Sequence, residues 1–137
     1  ERLCILFENK ANERKNKYFD PYSYPRNGIY FENWGVNSLE SFGWKVRTLP
    51  ASGDQGIDVI AELNNKSVGI QCKVYSTPVG NKAVQECLAG KSFYKLDYGV
   101  VITNSSYTPS AKELASKTEI QILNIHDIPQ LKTLLGI

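Results

Sequence analysis

Asp58, Gln71 and Lys73 bring a carboxylate, a carboxamide and an ammonium into one short stretch of the chain. A carboxylate and neutral oxygens are hard donors that can hold a divalent cation such as Mg²⁺. Such an ion polarises a phosphoryl oxygen and acidifies a water, and a lysine beside it stabilises developing charge. Phosphodiester hydrolysis needs such a set. The bland reading of the same residues is a surface ion pair between Asp58 and Lys73, worth about 0–1 kcal/mol. The run Gly53-Asp54-Gln55-Gly56 just before Asp58 favours the chemical reading, because glycines let a bulky substrate or another backbone come close.

A hairpin must bring these residues together. Asn64-Asn65 suits a two-residue turn, since asparagine tolerates the left-handed conformations that hairpin turns require. Counting back from it pairs Leu63 with Lys66, Ala61 with Val68, Val59 with Ile70, and Asp58 with Gln71. One face then carries Val59, Ala61, Leu63, Val68, Ile70, Cys72 and Val74, all apolar. Side chains alternate along a strand, so Asp58, Gln71 and Lys73 share the other face. Directly opposed residues have Cβ atoms roughly 5 Å apart.

The flanking pattern is α/β. Phe31, Trp34, Leu39 and Phe42 recur at helical spacing over 28–42, with Gly43 to end the helix. Residues 44–49, 57–63 and 66–74 read as strands. Residues 79–96 read as a helix with Val79, Ala83, Cys87 and Tyr94 along one side. Residues 98–103 form a continuous apolar run typical of a buried strand. Thr108 caps a helix with Pro109 at its first position. A strand over 119–125 and a helix over 127–135 close the chain. The expected architecture is a mixed central sheet flanked by helices, in the order α-β-β-β-α-β-α-β-α. Residues 1–27 read as a separate N-terminal extension, a helix over 2–17 and an irregular connector over 18–27. The domain proper then covers 28–137.

Composition narrows the classes. The 137 residues carry sixteen Lys and Arg against fourteen Asp and Glu. They hold three cysteines, Cys4, Cys72 and Cys87, and a single histidine, His126. Without clustered Cys and His there is no zinc-site pattern, and no disulfide framework is indicated. The apolar runs are too short for a transmembrane helix. These features predict a reduced, cytoplasmic protein with its cysteines in the core. With no methionine at all, the chain reads as a processed product or a piece of something longer. His126-Asp127 lacks a partner nucleophile and reads as a surface histidine and a helix cap.

Several segments together resemble the Mrr-type restriction endonucleases of the PD-(D/E)xK nuclease superfamily. These are Gly53-Asp54-Gln55-Gly56-Ile57-Asp58 and Val68-Gly69-Ile70-Gln71-Cys72-Lys73, the latter matching the branch with Gln in the second acidic position. Gly28-Ile29-Tyr30-Phe31-Glu32 is similar to the family's first helix. The stretch Val79-Gly80-Asn81-Lys82-Ala83-Val84-Gln85-Glu86 is similar to the helix after the catalytic strand. Gly99-Val100-Val101-Ile102-Thr103-Asn104 and Tyr107-Thr108-Pro109-Ser110-Ala111 are similar to the next strand and helix. The resemblance covers about residues 28–135 and implies a restriction-endonuclease-like fold. It implies Asp58 as the main metal ligand, Gln71 as the second through its carbonyl, and the Cys72 backbone carbonyl as a further one. Lys73 becomes the catalytic lysine and Glu32 the helix glutamate that completes the site. Asp54, a turn residue, is the poorer carboxylate candidate. Lys82 and Gln85 are candidates for a phosphate or the attacking water, and Ser105 and Ser106 for the DNA backbone.

The implied activity is an endodeoxyribonuclease using Mg²⁺, with Mn²⁺ able to substitute, that restricts foreign or modified DNA. The alternatives are a non-catalytic DNA-binding or assembly module and a structure-selective repair or junction nuclease. One site cuts one strand, so double-strand cleavage implies a homodimer or two sequential nicks. Residues 1–28 hold six basic and four acidic residues, and residues 29–137 ten of each. A formally neutral domain has a weak electrostatic hold on DNA, which predicts an additional domain or subunit for targeting. Seven aromatics between Tyr18 and Trp34 suit packing on the domain's own helices or under a partner.

Overall fold

Residues 31–50 and 56–137 are described by the computed structural model, apart from the side chains of Phe31 and Glu32. The expected helix over 2–17, the connector over 18–27 and the turn residues 53–55 lie outside the described residues.

The Asn64-Asn65 turn sets the register of the central hairpin. Both asparagines have positive φ, 52° and 64°, the conformation that closes a two-residue hairpin with the natural strand twist. Strand β2 (Val59–Leu63) therefore pairs antiparallel with β3 (Lys66–Lys73), Val59 opposite Ile70 and Leu63 opposite Lys66. Strand β1 (Lys45–Thr48) extends the meander along β2. Beyond β3 the chain crosses over through α2 (Asn81–Phe93) to β4 (Tyr98–Thr103), which is parallel to β3. Helix α3 (Pro109–Thr118) leads to β5 (Gln121–Asn124), parallel to β4. The spatial order is β1-β2-β3-β4-β5, the mixed sheet that the sequence predicts.

Helices cover both faces. The first is α1 (Phe31–Ser41), whose end is set by Gly43 with φ 96°. Gly43 and Trp44 donate their N–H groups to the carbonyls of Glu40 and Leu39, closing the last turn. Trp34 and Leu39 pack with Val59, Ala61, Val68, Ile70, Val100 and Ile102 on one side of the sheet. On the other side, Ala83, Val84 and Cys87 of α2 and Ala111 and Ala115 of α3 pack with Ile57, Ile60 and Val101. Burial pushes the Cys87 thiol up to about 12, so it behaves as a small core residue, as expected.

Two expectations shift. The closing helix begins as a 3-10 turn (Ile125–Gln130) and becomes α4 only at Leu131–Leu135. Pro129 has no N–H to continue an α-helical ladder, and Asn124 caps this turn in a reciprocal capping box with Asp127. His126 is exposed. Val74, expected on the apolar face, is 39% exposed. The ladder ends at Lys73, and the Tyr75 N–H bonds instead to the Asn104 side chain at 3.0 Å.

Candidate active site

Asp58 sits where the chain enters β2. Its N–H donates to the Ile70 carbonyl at 2.9 Å, and its own carbonyl accepts from the Leu49 N–H at 2.9 Å. This anchoring aims the side chain back at β3, where Oδ2 accepts the Cys72 N–H at 2.7 Å. The carboxylate therefore lies against the backbone between Gln71 and Lys73.

Gln71 and Lys73 lie two residues apart on β3 and project to the same face. Gln71 is 4% exposed. Its Nε2 donates to Glu86 Oε1 at 3.0 Å, whereas its buried Oε1 has no hydrogen-bond partner. Lys73 Nζ lies 3.2 Å from the same Glu86 oxygen and 6.0 Å from the centre of the Tyr75 ring. The Lys73 carbonyl accepts from the Thr103 hydroxyl at 2.6 Å, which pins the end of β3 to β4.

Glu86 is the residue that sequence reasoning missed. Lys82 and Gln85 on the same helix are exposed, and Glu86 is the one that meets β3. A signal was present. Glu86 lies three residues after Ala83 and four before Gly90, both buried, so it falls on the inward stripe of α2. Ser105 serves the scaffold, its hydroxyl donating to the Thr77 carbonyl at 2.9 Å and its N–H to Thr103 Oγ1 at 3.1 Å. Ser106 is exposed, and its carbonyl accepts the Val79 N–H at 2.8 Å. Glu32 belongs to the first turn of α1, while its side chain, like Asp54, lies outside the described residues.

The electrostatics follow from this geometry. Burial is the largest influence on Lys73 and lowers its pKa, but the Glu86 hydrogen bond and charge outweigh it, so the net shift is upward from 10.5. For Glu86, burial alone raises the pKa, and the bonds from Gln71 and Lys73 reverse this to a net shift below 4.5. In the metal-free protein, the Glu86 contribution to stability is present above pH 4.5 and fades as pH falls through the lowered value. The Lys73 contribution is full below pH 10.5 and fades as pH rises through the raised one. Melting temperatures of the wild type and Lys73→Met are accordingly expected to differ by a constant amount between these limits. The gap should close toward both extremes, and a gap that widens in acid would contradict the pairing.

Among the described residues, no group of three or more His, Cys, Asp or Glu could hold a metal. What fits a hard cation is an oxygen set of lower charge: the Asp58 carboxylate, the Cys72 carbonyl and the buried Gln71 Oε1, whose lack of a protein partner leaves it suited to a ligand.

The profile of the Mrr catalytic domain, described as a restriction endonuclease, matches residues 26–133. No significant match was found among curated proteins. Among solved structures, AF1548, a protein of unknown function, is 27% identical with a TM-score of 0.56, covering 69% of this chain and 57% of its own. AspBHI, a DNA modification-dependent restriction endonuclease, is 15% identical with a TM-score of 0.52, covering 98% of this chain and 36% of its own. MspJI, solved with a 27-mer oligonucleotide, is 14% identical with a TM-score of 0.43, covering 77% of this chain and 31% of its own. This chain thus spans little more than half of the first of these proteins and about a third of the other two. With the profile matching most of its length over the segment that builds the sheet and the Asp58-Gln71-Lys73 face, the chain belongs to the Mrr-type restriction endonuclease family.

Proposed function

We propose that this domain, taken as residues 28–137, hydrolyses DNA phosphodiester bonds in a divalent-metal-dependent reaction and serves restriction of foreign or modified DNA. The observation that carries the reading is the buried, unpartnered Gln71 Oε1 on the strand that holds Lys73 and bonds the Asp58 carboxylate through the Cys72 N–H. Asp58, Gln71 Oε1 and the Cys72 carbonyl would hold Mg²⁺ or Mn²⁺, with Glu32 completing the site. The ion supplies polarisation of the phosphate and a water of lowered pKa. With a neutral amide at position 71 the site has one fewer negative charge, so affinity for the ion is low until a DNA phosphate joins as co-ligand.

Lys73 has three N–H donors. One engages Glu86, leaving two for a phosphate oxygen and the attacking water. Lys82, exposed on the first turn of α2, suits the flanking phosphate backbone, with Gln85 and Ser106 as neutral donors. The formal neutrality of residues 29–137 supports DNA targeting by a further domain or subunit. Cutting both strands calls for a homodimer or two successive nicks.

The test is relaxation of supercoiled plasmid by the purified chain with Mg²⁺ or Mn²⁺. Nicked circles are expected with metal and none after EDTA treatment, with activity returning when metal is added back. Cleavage undiminished by EDTA would overturn the reading. Comparing methylated with unmethylated plasmid then separates a modification-directed enzyme from a general or structure-selective nuclease.

A further inference from the structure

A buried carboxamide has a wrong way round. Rotating Gln71 by half a turn exchanges Oε1 and Nε2 with almost no change in shape, so only its hydrogen-bond partners decide which end faces the ligand position. One group meets it from α2, and a cation from β3 shares that group. Glu86 is purely an acceptor and takes Nε2 at 3.0 Å. Lys73 is purely a donor, and its ammonium lies 3.2 Å from that same Glu86 oxygen. While Glu86 stands between them, Lys73 is satisfied by the carboxylate and Oε1 is left without a protein partner. Without Glu86, no acceptor holds Nε2, and the two ends of the amide become interchangeable in shape. The NH₂ can then stand where a cation needs an oxygen.

We infer that Glu86 is a positioning residue that fixes the Gln71 amide with its oxygen toward the ligand position. From the helix it also provides the negative charge that the strand position lacks. The inference rests on the metal-dependent reading above. Glu86 touches no ligand in this scheme and acts only through Gln71 and Lys73. It also accounts for a neutral residue at position 71, because a second carboxylate there would meet Glu86 at hydrogen-bond distance, where like charges disfavour each other.

The distinguishing experiment is a rescue. A carboxylate has no wrong end, so Gln71→Glu removes the need for orientation and returns the charge to the ligand itself. Mn²⁺ binding is measured by the loss of the free-ion EPR signal on titration, with a short DNA duplex and without it. Near-UV circular dichroism confirms folding. Glu86→Leu is expected to weaken Mn²⁺ binding by about 10-fold or more, the usual effect of losing a group that orients a ligand. The double variant Gln71→Glu/Glu86→Leu is expected to recover at least wild-type affinity, with Lys73 now pairing with the new carboxylate. Glu86→Ala repeats the comparison should the leucine perturb packing.

A merely structural Glu86 would give a defect that Gln71→Glu leaves unrepaired, and that result overturns the inference. So does wild-type affinity in a folded Glu86→Leu. Absence of Mn²⁺ binding by the wild type, with and without DNA, would instead remove the metal-dependent reading and this inference together.

Discussion

Asp58→Asn is expected to lower the cleavage rate by roughly 10³-fold while leaving the fold intact. In the proposed reaction the carboxylate would have two tasks that this substitution separates. As a hydrogen-bond acceptor it receives the Cys72 N–H at 2.7 Å and ties the entry of β2 to β3. The amide oxygen of asparagine can take over that bond, so stability should change by no more than about 1 kcal/mol. As a charge it is the one acidic group that the described structure places against the β3 backbone at Cys72. In the proposed reaction, losing that charge would remove the strongest ligand for a hard cation and its share of transition-state stabilisation, for which losses on the order of 10²–10³-fold per group are usual. Lys73→Ala should match it in rate, yet leave Mn²⁺ affinity nearly unchanged, because an ammonium does not ligate. Plasmid-nicking rates, Mn²⁺ titration and thermal melting of the three proteins separate these effects. Cleavage by Asp58→Asn within tenfold of the wild type, at saturating metal, would contradict the role given to Asp58.

The hairpin was legible because its register depends on local facts. Two asparagines that accept positive φ fix the turn, and the spacing of Val59, Ala61, Val68 and Ile70 then leaves one register that buries them together. The end of the hairpin was less legible. Asp58 accepts the Cys72 N–H through its side chain, and its own N–H goes to Ile70 rather than to its facing residue. The acid thereby becomes part of the ladder, which a count of alternating residues does not show. Glu86 was hidden for a different reason. Helical periodicity places it on the inward side of α2, but which strand residues lie beneath depends on how the crossover from β3 seats the helix. That seating is a tertiary fact, set in part by Val79, fully buried and bonded to the loop after β4 through its N–H and carbonyl. Lys82 and Gln85, polar and early in the helix, are exposed and face away from the β3 contact that Glu86 makes.

Gly56→Ala is expected to destabilise the domain by about 3 kcal/mol or more, through backbone rather than side-chain contacts. Gly56 has φ 89°, a region where a Cβ is already disfavoured. An added Cβ would lie 2.1 Å from the Glu86 carbonyl oxygen, 2.7 Å from its carbon and 3.2 Å from its Cα. All three are backbone atoms of α2, so no rotamer change relieves the clash and the helix itself must move. Overpacking of this kind typically costs 1–3 kcal/mol, and the strained φ adds to it. The next residue, Ile57, is fully buried between sheet and helix, which leaves the segment no easy retreat. Movement of α2 at this point would carry Glu86 away from Gln71 and Lys73 while shifting the approach to Asp58. Activity should therefore fall even in molecules that remain folded. Gly80→Ser is the control, since a Cβ at Gly80 meets nothing within 4 Å and serine is a good residue at the N-cap of α2. Urea unfolding should place Gly80→Ser at or slightly above the wild type and Gly56→Ala far below it. A Gly56→Ala protein within 1 kcal/mol of wild type would mean that the glycine before β2 does not set the distance between helix and hairpin, and that α2 reaches Gln71 by some other constraint.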